Sequence, residues 1–365
     1  MPKWIWEHTF FKNMDFVYES IDMSNLFVKI HKLNQVAHNV EILAEVLSDE
    51  LIYSFLIEAE KLNRASLYAS FEHILNNPTA TSSKQIKPTD SLAMLLHNTR
   101  EDTTQWDKER LLACHRGLLI SPKYGLWPID IGAYRKDLYG RMQVVSVRGN
   151  KESIHYIAPP AKDLEGLMQA FLHFANHKEG TPEKQIAHAF LTHLIFVLIH
   201  PFDDGNGRMA RLIHYNLLAH SKVFSTGYYG LSLGIYKTRK DYYDTLDILN
   251  KQQHNNLTEW VKYGVKSLEV GIDLIYQQAG LIMFKECILK RFSQELNANQ
   301  VQILNSLFAR HLKSLRGDCV GTALKAITNE IGPDILRLRD LGILKEVAEK
   351  RFELDFSMAK RVNAC

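Results

Sequence analysis

The chain has 365 residues, 46% apolar and 23% charged, which is an ordinary soluble composition with room for about two or three domains. A formal charge of +3 is too small to argue by itself for a nucleic-acid partner. Cys114, Cys287, Cys319 and Cys365 lie far apart with no C-x-x-C pair, which argues against a disulfide framework or a cysteine zinc site and fits a reducing, cytoplasmic compartment.

The opening Met-Pro-Lys-Trp-Ile-Trp lacks the apolar run of a signal peptide. From about Phe27 to Asn76, apolar residues recur at helical spacing (Ile42, Leu43, Val46, Leu47, Leu51) and predict a helical N-terminal domain. Residues 77–90, with Pro78, Pro88 and several Ser and Thr, read as a loop. Met142–Val147 and Ile154–Ala158 flank Arg148-Gly149-Asn150 and read as a β-hairpin closed by Pro159-Pro160. A helix is expected from Leu164 to His177. Thr181 as N-cap and Pro182 at the first helical position then open another. This one runs to Ile199 and is apolar nearly all round, as a buried central helix should be. Its apolar stretch, Ala189 to Ile199, is interrupted by Thr192 and His193 and is too short for a bilayer, so no membrane contact is expected. A further helix starts near Arg208. Short helices at Gln300–Leu312, Ala323–Ile331 and Pro333–Leu341, followed by Ile343-Leu344 and Arg351–Phe356, suggest a winged helix-turn-helix.

The chemistry concentrates in His200-Pro201-Phe202-Asp203-Asp204-Gly205-Asn206-Gly207-Arg208-Met209-Ala210-Arg211. Two glycines flanking Asn206 at a helix start can present backbone N–H groups as an anion nest, aided by the helix dipole. Arg208 and Arg211 are spaced to reach a polyphosphate together. Asp204 is a hard oxygen ligand suited to Mg²⁺ shared with phosphate oxygens. His200, just before the nest, can accept a proton from an incoming hydroxyl, and Phe202 can pin the loop to the core. Taken singly, each has a plainer reading: a structural histidine, a turn, or a solvated pair of arginines.

Together they match H-x-F-x-[DE]-G-N-G-R-x-x-R at every specified position, and by this segment the chain resembles the Fic (filamentation induced by cAMP) family of protein adenylyltransferases. The resemblance implies a mainly α fold with a helical core and a β-hairpin flap. It also implies transfer of AMP from ATP to a Tyr, Ser or Thr hydroxyl, with His200 as base, Gly205, Asn206, Gly207, Arg208 and Arg211 on the phosphates, and Mg²⁺ at Asp204. Ile131-Gly132-Ala133-Tyr134-Arg135 followed by Met142-Gln143-Val144-Val145 is similar to the entry of the flap, a hairpin (Met142 to Ala158) that aligns target proteins in family members. Arg239 to Asn250 resembles the segment whose tyrosine and asparagine contact adenine, which carries that role to Tyr243 and Asn250, with Val144 as a further contact. Ser54-Phe55-Leu56-Ile57-Glu58-Ala59 resembles the inhibitory [ST]-x-x-x-E-[GN] helix except at Ala59, so Ser54 and Glu58 are the expected inhibitory pair and Glu72 the second choice. Trp4, Trp6 and the layout are similar to a bacterial subset with an N-terminal helical domain (1–95), a Fic domain (96–276) and a C-terminal winged helix (284–360).

Rival readings are a Fic-fold enzyme that transfers UMP or phosphate or removes AMP, and a DNA-binding regulator acting through the winged helix. The segment Pro333–Leu341 has two arginines but also two aspartates, a poor footprint for phosphate contacts. His188, His193 and His200 lack the i, i+4 spacing of a helical zinc pair. Homodimerisation is left open.

Overall fold

The structure, a computed structural model, describes residues 3–77, 87–119, 129–148, 151–221, 223–317, 324–325, 332–348 and 351–357. It divides into two compact units, Met1–Ile272 and Asp273–Cys365. The fold is mainly α, as the sequence predicts.

In the first unit, α1 (Thr9–Lys12), α2 (Ser24–Asn34), α3 (Val40–Ile57), α4 (Arg64–Asn76), α5 (Pro88–Glu101) and α6 (Lys108–Leu118) precede a hairpin of β1 (Gln143–Arg148) and β2 (Lys151–Ile157). After it come α7 (Leu164–Ala175), α8 (Pro182–Ile199), α9 (Asn206–His220), α10 (Leu231–Lys237) and α11 (Arg239–Leu249). The long α12 (Thr258–Arg291) begins here and continues into the second unit.

Local chemistry sets several of these boundaries. Asn39 caps α3 by accepting from the Ile42 N–H at 3.1 Å, and Asp107 caps α6 through Arg110. Thr181 accepts from Lys184 at the head of α8, with Pro182 at the first position, where its missing N–H costs nothing. Most of the 77–90 loop lies outside the described residues. Its last three residues are a correction, because Pro88 starts α5 and the Asp90 carboxylate accepts the Lys87 N–H at 2.9 Å.

The buried α8 packs on α9, and the two helices form the centre of the unit, with Ile186, Phe190, Leu194, Ile195 and Ile199 excluded from solvent. The N-terminal Trp-Ile-Trp serves the hairpin. Trp6 Nε1 donates to the Ile157 carbonyl at 2.8 Å, and Trp4 meets Tyr156 edge to face. Tyr156 is buried and donates to the Leu198 carbonyl at 2.5 Å, so the base of the hairpin is tied to the last turn of α8.

The second unit contains α13 (Ala298–Arg316), β3 (Leu324–Lys325), α14 (Pro333–Asp340), β4 (Leu344–Ala348) and β5 (Arg351–Leu354), with an antiparallel sheet in the order β3-β5-β4. Asn297 and Gln300 form a capping box at the head of α13, and Asp334 of α14 accepts from both of their amides. The helix expected over Ala323–Ile331 lies mostly outside the described residues. Where it is described, Leu324–Lys325 is strand, with Leu324 paired to Phe352; two residues are too few for a period-2 signal. On α14, Arg337 pairs with Glu295 at 3.6 Å and Arg339 with Asp340 at 2.8 Å. Among the described residues no helix is long and apolar enough to cross a membrane.

Candidate active site

The site is built on residues 200–211, where α8 ends and α9 begins. His200 terminates α8 in the left-handed region, at φ 52° and ψ 58°. A residue with a Cβ holds that conformation only where its surroundings over-determine it. Arg135, itself buried, donates through Nε to the His200 carbonyl at 2.8 Å and through its backbone N–H to the Pro201 carbonyl at 3.0 Å. Its Nη2 reaches the Pro159 carbonyl at 2.5 Å, so one guanidinium joins the loop to the chain leaving the hairpin. Asn206 closes the turn from within: its Oδ1 accepts the Phe202 N–H at 3.0 Å and its Nδ2 donates to the Phe202 carbonyl at 2.8 Å. The side-chain amide of Asn206 is thus spent on the loop, which leaves its backbone N–H as the group available to the nest.

His200 has a defined tautomer. Its Nδ1 lies 3.1 Å from the Val197 carbonyl, which can only accept, so the proton sits on Nδ1 and Nε2 keeps its lone pair. Burial pushes the imidazole down to about 4, opposed by the Val197 bond and reinforced by Arg135. It is therefore neutral and able to accept a proton across the physiological range.

The N-terminus of α9 follows at once. Gly205, at φ 82°, turns the chain into the helix, and the N–H groups of Asn206, Gly207 and Arg208 have no intrahelical partner by their position. Arg208 and Arg211 are both buried. Arg208 pairs with Asp204 at 3.0 Å and with Glu60 at 3.3 Å, while its Nε is buried without a partner. Arg211 donates from Nε to Ser54 Oγ at 2.9 Å and from Nη2 to the Ser54 carbonyl and to Glu58 Oε1, each at 2.8 Å; its Nη1 is buried without a partner. Two guanidiniums with unfilled donors beside a helix N-terminus form an anion cradle. Asp204 is 44% exposed beside it and holds the Gly205 N–H through Oδ1. No group of three or more His, Cys, Asp or Glu able to hold a metal ion occurs among the described residues.

A carboxylate of the same chain reaches that cradle. An ideal Cβ added to Gly207 would lie 2.2 Å from Glu58 Oε1 and 3.1 Å from Arg211 Nη1, so Glu58 sits against the start of α9. The turn that delivers it is specific: Glu60 N–H bonds the Phe55 carbonyl at 2.9 Å and Ala59 N–H the Leu56 carbonyl at 3.0 Å, with Ala59 at φ 60°. This is a Schellman motif, and the left-handed position explains why glycine or asparagine is favoured where this chain has alanine. Glu72, the second-choice carboxylate, is exposed on α4 and enters none of these contacts.

A cavity of about 740 Å³ opens beside the cradle, lined by Val144, His155, Leu198, Tyr243 and Asn250 together with His200, Gly207 and Glu58. Asn250 donates from Nδ2 to the His155 carbonyl at 3.2 Å, which fixes its amide, and its Oδ1 is buried without a partner. Of the adjacent tyrosines, Tyr242 is core, its hydroxyl 3.1 Å from His193 Nε2, whereas Tyr243 is half-exposed at the cavity and its hydroxyl lies 3.4 Å from the Ile57 carbonyl. The structure thus brings His200, Asp204, Arg208, Arg211, Ser54, Glu58, Val144, Tyr243 and Asn250 to one place and leaves Glu72 apart. Sequence reasoning missed His115, which contacts the loop, and gave no individual role to Glu60 and Arg239, which contact Arg208 and the end of α3.

The family described as Fic/DOC matches residues 105–218 of this chain. Residues 105–218 carry a Fic/DOC-type domain. The protein adenylyltransferase Fic of Nematostella vectensis is 31% identical over 118 residues, covering 32% of this chain and 26% of that protein. The protein adenylyltransferase fic-1 of Caenorhabditis elegans is 30% identical over 162 residues, covering 44% and 27% respectively. The chain therefore spans about a quarter of the length of these relatives. A crystal structure of a Fic family protein from Desulfovibrio desulfuricans covers 93% of this chain and 98% of its own at a TM-score of 0.49 and 19% identity.

Proposed function

We propose that this Fic protein is a protein adenylyltransferase that moves AMP from MgATP to a Tyr, Ser or Thr hydroxyl of a target protein, restrained by Glu58. The observation that carries the reading is the neutral His200, its Nε2 free to accept, one short turn from an α9 N-terminus flanked by two arginines with unfilled donors.

On this reading the triphosphate lies against Asn206, Gly207 and Arg208 N–H groups, with Arg208 and Arg211 neutralising its charge. Mg²⁺ arrives as part of the substrate and lowers the negative charge of the phosphates; Asp204 supplies the protein carboxylate it meets. The base lies toward Val144, Tyr243 and Asn250. His200 Nε2 takes the hydroxyl proton as that oxygen bonds to the α-phosphorus, the bond to the bridging oxygen breaks, and pyrophosphate leaves. Positioning and electrostatics supply most of the rate. The target backbone pairs along the hairpin, a two-stranded sheet with no third strand among the described residues.

Glu58 lies where the terminal phosphate would go and engages Arg211 from the opposite sign of charge. Its removal frees space and a phosphate partner together. Incubating the protein and its Glu58→Gly variant with α-labelled ATP and a cell lysate tests the whole reading. Labelled protein is expected, about ten- to hundredfold more with the variant, a difference of about 1.4 to 2.8 kcal/mol. Label competed away by UTP better than by ATP, or no label from either form, would overturn it.

A further inference from the structure

The turn that ends α3 carries two carboxylates, and each holds a different arginine of the loop. Glu58 reaches Arg211 at 2.8 Å and Glu60 reaches Arg208 at 3.3 Å. Both arginines are buried, with side-chain exposures of 1% and 3%, and Glu60 is 16% exposed, so neither pair is a solvated surface contact. We propose that Glu60 is a second inhibitory carboxylate, which withholds Arg208 from the triphosphate while Glu58 withholds Arg211; this rests on the adenylyltransferase reading above.

The geometry gives the two glutamates a shared cause. Residues 58 and 60 lie on either side of Ala59, and the left-handed backbone at Ala59 reverses the chain so that both side chains turn toward α9 rather than spiralling apart. Arg208 holds Glu60 through Nη1 and Asp204 through Nη2, so both terminal nitrogens are engaged and a triphosphate finds only Nε open until Glu60 gives way. The turn is moreover held in a conformation that alanine disfavours. Ala59 thus biases the turn toward release, against the two ion pairs that dock it.

Three variants, read by calorimetric MgATP binding in a His200→Ala background and by labelling in the native background, test this. Glu60→Gln keeps the size of the side chain and removes its charge; it should tighten MgATP about three- to tenfold and leave AMP, which lacks the outer phosphates, unchanged. The gain should persist in Glu58→Gly, because a different arginine is released. Ala59→Gly relieves the strain of the docked turn and should weaken MgATP binding about fivefold. If Glu60→Gln weakens MgATP binding, Glu60 instead holds Arg208 ready for phosphate, and the proposal fails. An equal effect on AMP would assign Glu60 to general electrostatics and also overturn it. Because binding is read without transfer, an inactive Glu58→Gly would sink the enzymatic reading while leaving this result legible.

Discussion

His115 lies flat on Phe202, with ring centroids 3.8 Å apart and planes 7° apart. Its Nδ1 accepts the Gly132 N–H and its Nε2–H donates to the Asp204 carbonyl, each at 2.9 Å. Both ring nitrogens are committed in the neutral form, and a second proton would turn the acceptor facing Gly132 into a donor. Burial accordingly pushes this imidazole down.

His115→Ala should loosen the loop without touching any group at the reacting atoms. Lost stacking and two lost hydrogen bonds predict a destabilisation of about 2 to 4 kcal/mol by urea unfolding, with labelling reduced at least tenfold. Full activity in the folded variant would show that the loop holds its shape without this ring.

His200→Ala should abolish transfer while MgATP affinity stays within about threefold, because a general base acts in the transition state. Calorimetry beside a labelling assay decides this. Undiminished labelling would remove His200 from the chemistry.

The pH dependence follows from the depressed imidazole of His200. Its value of about 4 in the folded protein means the base form persists well below the range where a free histidine protonates. Labelling rates should be flat between about pH 6 and 8, with the acid limb falling only as pH approaches the folded value. For stability the sign is the same: the folded state binds fewer protons at this site, so its contribution is present above the unfolded value and is lost as pH falls through the folded one. An acid limb centred near 6.5 would contradict the partly buried, Nδ1-protonated ring.

Arg239 should act on control rather than on chemistry. Its Nη2 donates to the Ile57 carbonyl at 2.7 Å, the last carbonyl of α3 before Glu58, and its guanidinium lies over Tyr243. Arg239→Ala should raise basal labelling about three- to tenfold in the native background and have no such effect in Glu58→Gly. A loss of activity in both backgrounds would place Arg239 in nucleotide binding.

What could be read from the sequence was local. The Thr181–Pro182 start of α8, the hairpin and the loop from His200 to Arg211 are written in neighbouring residues, and the structure forms all three. The supports of the loop are not local. His115 meets Asp204 across 89 positions and Arg135 meets His200 across 65, and nothing in the residues around His115 announces that pairing. Ala59 is the one departure from the inhibitory motif, and residue type alone does not say how it is accommodated: the backbone adopts the left-handed conformation with alanine, held by the hydrogen bonds on both sides. Asn206 fitted the motif and serves it by building the loop.

The frame around His200 is made almost entirely of peptide groups. Its N–H bonds Phe196, its carbonyl receives Arg135, and the imidazole adds one bond within its own helix. Scaffold and chemistry are therefore separable at this residue. A descendant that lost the imidazole could persist as a folded nucleotide receptor, signalling by occupancy instead of by modification. The same separability recommends His200→Asn, since asparagine accepts left-handed backbone readily, as a reagent for trapping the triphosphate complex before transfer.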